Sequence, residues 1–286
     1  MRLGVQVRYG AGLLDLLKQA KDLGCNTIQF FNHNPRSWKN TTKPTQEEIN
    51  KFKKETKKLN INPLFIHIPY LLNLATPDDN LYKRSINAFI KEVKEAQILG
   101  VEFLVMHLGS HKKSGEKFGL ERITQALNII LDKTYESCVN ILLENTAGSG
   151  SWLGYNFSHQ GFILKNIRNK KRIGICLDTC HAYVSGYDIS KKEGLNNLLK
   201  EIDKETGLEK LKLIHLNDAK DKCGSRRDRH QDIGKGYIGY SGMEEIINHP
   251  FLKDIPFILE TPKKTDSDDI RNLNTVRRLF HGRLSF

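Results

Sequence analysis

Six histidine, aspartate and glutamate side chains each close a short apolar run: His67 in PLFIH, His107 in FLVMH, Glu144 in ILLE, Asp178 in GICLD, His215 in LKLIH and Glu260 in FILE. They follow one another at intervals of 34 to 45 residues. Imidazoles and carboxylates are ligands for divalent ions, and the interval suits a βα unit, which takes roughly 30 residues or more. The pattern predicts one metal ligand at the C-terminal end of each of six strands. A lone His or Glu ending a strand is more often an ordinary hydrogen-bonded residue near a barrel mouth. Six in phase are far harder to obtain by accident, and ligands converging from six strands point to a polynuclear centre.

Two loop segments extend the set. LDTCHAYVSGYD (177–188) puts His181 three residues after Asp178. That spacing suits two ligands leaving one strand toward neighbouring ions; the bland alternative is a structural strand-to-loop turn. Cys180 between them could offer a thiolate, but the other donors are imidazole and carboxylate, so it reads as buried and structural. In GSRRDRHQDIGKGYIG (224–239), Asp228 and His230 stand two residues apart. In an extended loop alternate side chains point the same way, so this pair can share an ion, with His181 as third ligand. Arg226, Arg227, Arg229 and Lys235 surround the pair. Their ordinary reading is a solvated charge run; beside an anion-handling metal site, phosphate contact is the better one.

The set comprises five His, two Asp and two Glu. Three divalent ions would use all nine if one carboxylate bridges. Zinc suits these donors, with manganese or iron as competitors. Such ions make a hydroxide nucleophile at neutral pH and clamp both oxygens of a phosphoester. No Walker-type loop or Ser-His-Asp arrangement competes. The other histidines (His33, His111, His159, His249 and His281) have no comparable case as ligands, although His111 in HLGSH is placed to support them from behind.

The elements that must position these residues read as strands at 3–7, 27–31, 63–67, 103–107, 140–144, 173–178, 211–216 and 256–260. Helical stretches lie at 13–23, 46–59, 81–99, 119–134, 162–169, 194–205, 241–248 and 267–280. Strict alternation implies a parallel sheet. Eight repeats favour closure into a (β/α)₈ barrel, which carries its chemistry at the C-terminal ends of the strands. The 286 residues suffice for one barrel of roughly 250 residues plus loops, and no linker divides them, so a single domain over 1–286 is expected. Loops 145–157 and 217–240 are rich in Gly, Asp, Arg and His, as loops on the working face should be.

Lys and Arg number 45 against 33 Asp and Glu, a net charge of +12. Such an excess suggests a polyanionic partner such as nucleic acid, although Lys-rich helix surfaces account for it equally well. Five cysteines at irregular spacing argue against a disulfide framework and for a reducing compartment. The N-terminal MRLGVQVRYG lacks a signal-peptide layout, and no run approaches the roughly 18 apolar residues of a membrane span. A cytoplasmic protein without membrane attachment is expected.

The segments HIPYLLNLA (67–75), HLGSH (107–111), LLENTAGSG (142–150), CLDTCHAYVSGYD (176–188), IHLNDAKDKCGSRRDRHQDIGKGYIG (214–239) and FILETP (257–262) resemble the endonuclease IV family of apurinic/apyrimidinic endonucleases. The resemblance runs over essentially the whole chain, from FFNHNPRSW (30–38) to the last strand. It implies a barrel with three zinc ions: His67, His107 and Glu144 on the first; Glu144, bridging, with Asp178, His215 and Glu260 on the second; His181, Asp228 and His230 on the third. The implied catalytic carboxylates are Glu144 and Glu260. The implied reaction is hydrolysis of the DNA phosphodiester 5′ to an abasic site, leaving a 3′-hydroxyl and a 5′-deoxyribose phosphate, with removal of 3′-blocking groups as a companion activity. The implied partner is double-stranded DNA carrying abasic or 3′-blocked lesions, bound by a monomer. The family extrudes the abasic nucleotide and fills the gap; the matching side chains are Arg36, Tyr70 and Leu71, whose bland reading is rim packing. One departure is that the family's Gly-x-His-Val-Ser opening is GVQVRYG here, with Gln6 at the His and Arg8 at the Ser. Two rival functions stand beside this one: a metal-dependent sugar isomerase or epimerase on the same kind of barrel, and a lesion-binding protein without catalysis.

Overall fold

The computed structural model describes residues 1–38 and 43–282. Eight parallel strands close a barrel: β1 (Leu3–Val7), β2 (Ile28–Phe30), β3 (Leu64–His67), β4 (Phe103–His107), β5 (Asn140–Glu144), β6 (Ile173–Asp178), β7 (Leu211–His215) and, after a short hairpin of β8 (Asp218–Ala219) and β9 (His230–Gln231), β10 (Phe257–Leu259). Each barrel strand pairs with its sequence neighbour, and β1 closes on β10 through Leu3↔Phe257 and Val5↔Leu259. The barrel wall is tight at Gly4, where a Cβ would lie 1.8 Å from the Thr27 carbonyl oxygen just before β2.

The outer layer is α1 (Leu13–Asp22), α2 (Gln46–Lys58), α3 (Asp79–Leu99), α4 (Glu116–Lys133), α5 (Phe157–Asn166), α6 (Thr179–Ser185), α7 (Lys192–Thr206), α8 (Gly239–Asn248) and α9 (Asp266–Leu279). Local chemistry marks several boundaries. α2 opens on a capping box in which Thr45 and Glu48 satisfy each other's backbone N–H groups. Asp78 caps α3, which ends on Gly100 in the left-handed region at φ 76°. A second capping box, Thr265 with Asp268, starts α9.

Strand side chains alternate between the two faces of a sheet. The barrel interior is plugged by Phe65, Val105, Leu142, Cys176, Leu213 and Ile258, all buried. Each lies two residues before one of His67, His107, Glu144, Asp178, His215 and Glu260. The six therefore form the next inward-facing layer, on top of a dry plug.

The structure departs from the sequence expectation in three places. His181, expected to leave the strand with Asp178, sits instead on a short helix: Asp178 ends β6 and caps the seven-residue α6. Segment 217–240 contains the antiparallel hairpin of β8 with β9. α5 begins at Phe157, five residues before the expected start, because Asn156 caps it by accepting from Ser158 N. No helix among the described residues is long and apolar enough to cross a membrane.

Candidate metal centre

All nine expected ligands meet at the C-terminal mouth of the barrel. Glu144, fully buried, lies at the middle. Its Oε2 stands 3.2 Å from His67 Nε2 and 3.3 Å from His107 Nε2. Its Oε1 stands 3.2 Å from His215 Nδ1 and 3.3 Å from His181 Nδ1. His215 Nδ1 is also 3.5 Å from Glu260 Oε2 and 3.9 Å from Asp178 Oδ2. A third grouping forms where Asp228 Oδ1 approaches His181 Nε2 at 3.1 Å and His230 Nε2 at 3.5 Å, with Asp178 Oδ2 3.7 Å from His230 Nε2. His67, His107 and Glu144 could hold one ion; Glu144, Asp178, His215 and Glu260 another; Asp178, His181 and His230 a third.

The histidine rings are aimed. His67 Nδ1–H donates to the Ile68 carbonyl at 2.8 Å, His181 Nδ1–H to the Asn145 carbonyl at 2.9 Å, and His230 Nδ1–H to the Glu260 carbonyl at 2.9 Å. Each ring thereby presents Nε2, as a lone-pair donor, to the cluster. Parking one ring nitrogen on an acceptor is how proteins orient metal-binding imidazoles. His230 Nε2 is buried and finds no hydrogen-bond partner among the described residues. An orphaned nitrogen facing carboxylates at 3.5–3.7 Å fits an ion better than it fits a hydrogen bond, which needs about 2.7–3.2 Å.

Sequence reasoning missed the brackets behind the ligands. Gln29, fully buried, accepts from His215 Nε2–H at 2.8 Å and donates to Glu260 Oε1 at 2.7 Å. It also donates to Gln6 Oε1 at 2.7 Å. The opposite amide orientation would set its oxygen against the Glu260 carboxylate, so these contacts fix His215 with Nδ1 toward the cluster. Asn217 donates to Asp178 Oδ2 at 2.7 Å and accepts from Glu260 N at 2.8 Å, coupling two ligands. Asn145 accepts from Asp178 N at 2.7 Å and donates to the Asp178 carbonyl at 3.0 Å. Asp178 Oδ1, capping α6, accepts from His181 N at 2.8 Å. Asp218 organises the loop that delivers Asp228 and His230 by accepting from the N–H groups of Ala219, Gly236 and Ile238 at 2.8–3.0 Å.

Burial alone would raise the Glu144 carboxyl, but the charges of His107 and His215 outweigh it and hold the group well below the usual carboxylate range. Burial alone would lower His107, His181 and His215; Glu144 outweighs it for His107 and the Asp178–Asp228 pair for His181, so both rise. His215 rises likewise, through Cys176, Glu260 and Glu144. Asp228 is held low against its burial by His181 and His230. The raised rings of His107, His181 and His215 become ligands once their protons leave.

A cleft of about 300 Å³ opens over the third grouping between Tyr70, Trp152, His181 and Asp228. A larger one of about 600 Å³ lies beside Gln6, Arg8, Asn34 and Lys263. Tyr70 is 52% exposed although its ring lies 5.6 Å from that of His67. Leu71 beside it is half-buried, and Arg36 is exposed in the β2–α2 loop. Arg226 lies over the Tyr155 ring at 4.7 Å, and exposed Arg227 stands 3.7 Å from Asp221. The exposed Arg229 guanidinium forks onto Asp221 at 2.6 and 2.7 Å, a pair with which a phosphate would compete. Lys235 reaches Asp232 at 3.8 Å. Cys180 is buried as expected, its thiol facing the Arg229 carbonyl. His111 stands apart from the ligands, where its Nδ1 accepts from Gly115 N at the entrance to α4.

A family model described as "Xylose isomerase-like TIM barrel" matches residues 17–278. The chain is 44% identical over 279 residues to "Probable endonuclease 4" of Halothermothrix orenii, covering 97% of this chain and 100% of the relative. The crystal structure of endonuclease IV from Thermus thermophilus superposes with a TM-score of 0.84 at 30% identity, over 98% of both chains. A D-psicose 3-epimerase from Clostridium cellulolyticum superposes at 0.72 with 14% identity, over 98% of this chain and 99% of that one; that likeness is one of fold alone.

Proposed function

Since the chain belongs to the endonuclease IV family, we propose that it is a metal-dependent DNA repair nuclease. It hydrolyses the phosphodiester 5′ to an abasic site, leaving a 3′-hydroxyl and a 5′-deoxyribose phosphate, and it removes 3′-blocking groups. The observation that carries this reading is the convergence of nine imidazole and carboxylate donors, with the far nitrogens of His67, His181 and His230 parked on carbonyls and that of His215 on Gln29. His67, His107 and Glu144 would hold one zinc ion, Glu144, Asp178, His215 and Glu260 a second, and His181, Asp228 and His230 a third. When bound, such ions supply a hydroxide nucleophile at neutral pH and neutralise charge on the phosphoester oxygens.

The chain's own part is orientation and recognition. Gln29 and Asn217 hold Glu260 from two sides, which suits it to orient the attacking group as well as a metal. Tyr70 projects beside the cluster, where a planar side chain can replace the stacking lost at an abasic gap. Leu71 and Arg36 complete this lesion-reading edge. Arg226 and Arg227 line the same face and are available to phosphates, and the net charge of +12 favours a polyanion.

Cleavage of an abasic-site duplex, assayed with and without a chelator and beside a ketose epimerisation assay, tests the reading. Chelator-sensitive incision 5′ to the lesion with no epimerisation is the expected result. Epimerisation without incision would favour the sugar enzyme, and tight lesion binding with neither activity the idle binder.

A further inference from the structure

The β2–α2 loop meets α3 at a second group of potential ligands. His33, Glu92 and Glu95 each offer one nitrogen or oxygen, and the three atoms lie within 4.8 Å of one another. Glu92 is only 3% exposed, and among the described residues His33 is the one basic group within ion-pair range of it. Their contact, Nε2 to Oε1, is 3.5 Å, beyond hydrogen-bond length. Ligands held about 2.0–2.2 Å from a tetrahedral ion stand roughly 3.3–3.6 Å apart, and spacings of 3.1–3.9 Å are found in the nine-ligand centre. Among the described residues three buried polar atoms here have no hydrogen-bond partner: Glu92 Oε2, His33 Nδ1 and Asn32 Oδ1. Leaving such atoms unmatched is costly. Around Glu95, Asn32 Nδ2 donates to Oε2 at 2.9 Å and Lys91 Nζ approaches Oε1 at 3.7 Å, which anchors that carboxylate beside the other two. Burial, reinforced by Glu95, pushes the Glu92 carboxyl up to about 8.

We propose that His33, Glu92 and Glu95 bind a further divalent transition-metal ion of the zinc class, separate from the nine-ligand centre. One imidazole with two carboxylates favours zinc over magnesium or calcium, which prefer all-oxygen shells. Three protein ligands leave a fourth position for water. The ion fastens the β2–α2 loop to α3. Trp38 of that loop already stacks under Arg84 of α3, with 4.0 Å from the guanidinium carbon to the ring centre, and the ion is a second tie three residues before Arg36. The site stands on its own geometry; only the link to Arg36 rests on the proposed function.

Zinc is counted after dialysis against micromolar free Zn²⁺ for wild type, His33→Gln, Glu95→Gln, His107→Ala and His281→Gln. His281 is a surface imidazole paired with Glu244 at 2.9 Å and serves as control. Wild type and His281→Gln should hold one ion more than His33→Gln or Glu95→Gln, and magnesium should not replace that ion. Glu95→Gln keeps volume on a side chain 21% exposed, so it reads the site without threatening the fold. His33→Gln and Glu95→Gln should retain turnover at saturating abasic DNA, whereas His107→Ala loses it. Equal zinc in wild type, His33→Gln and Glu95→Gln would overturn the site; loss of turnover together with the ion would overturn its role as a staple. A wild type inactive on abasic DNA would sink the nuclease reading while leaving the zinc count to report on this site.

Discussion

Glu260 is held by its neighbours more firmly than a solvent-facing carboxylate at a strand end would be. Gln29 donates to its side chain, Asn217 accepts from its backbone N–H, and its carbonyl receives the His230 ring. Glu260→Gln keeps the shape and removes the charge, so turnover should fall by about 10²–10³-fold, the scale of deleting a preorganised electrostatic group. Near-normal turnover in steady-state incision assays would show that the carboxylate does not act at the reacting centre. Gln29→Leu should weaken metal retention by about 10–100-fold in chelator competition, as loss of a ligand's hydrogen-bond partner does; unchanged retention would reduce Gln29 to packing. Tyr70→Ala and Arg36→Ala should each lower affinity for abasic duplex more than for intact duplex in paired titrations at one salt concentration. Equal losses on both would mean that these side chains only position the backbone. Six of the candidate ligands were readable in the sequence because each ends an apolar strand run, and His181, Asp228 and His230 by their spacing in polar loop segments. Gln29 was not, since its partners His215 and Glu260 lie 186 and 231 residues away and a glutamine inside IQF carries no signature of its own.

The strand and helix order followed from alternation of apolar runs, because periods of 2 and 3.6 residues leave a mark on every turn of chain. What escaped were elements too short for a period. α6 has seven residues, and its start signal is Asp178, already counted as the end of a strand and as a ligand. The hairpin of β8 and β9 has two residues per strand and is held by the buried Asp218 rather than by any apolar pattern. His33 had no case as a ligand in the sequence because Glu92, which it faces, lies far along the chain on α3. The same loop architecture sorts the arginines. Arg226 and Arg227 project from the turn between β8 and β9, while Arg229 forks onto Asp221 across the hairpin. Arg226→Ala and Arg227→Ala should each weaken duplex binding alike across sequences and lower the salt slope by roughly one. Arg229→Ala should change the slope less. A full unit lost for Arg229 and none for the other two, measured by binding across a salt series, would reverse this assignment.

The barrel mouth brings nine ionisable groups together, and the protein's stability must answer to their protonation. In metal-free protein the raised histidines His107, His181 and His215 hold protons more tightly folded than unfolded. Their contribution is complete below their ordinary value of 6.5 and is lost as pH rises through the folded values. Glu144 and Asp228, both lowered, contribute above the ordinary carboxylate range and lose that contribution only as pH falls through their low folded values. Stripped protein should therefore unfold at progressively lower temperature as pH rises from about 6.5, while the loaded protein, whose ions require neutral rings, should not. A parallel decline in both forms, followed by circular dichroism, would dissociate the cluster from metal binding. The most direct test of the whole account is to strip the protein with a chelator, add zinc back stepwise, and follow bound metal together with incision of an abasic duplex. Incision should be absent without metal and reach its full rate only once more than one ion per chain is bound, consistent with a three-ion centre at the barrel mouth. Full incision in protein holding one ion or fewer, or in protein holding none, would contradict it.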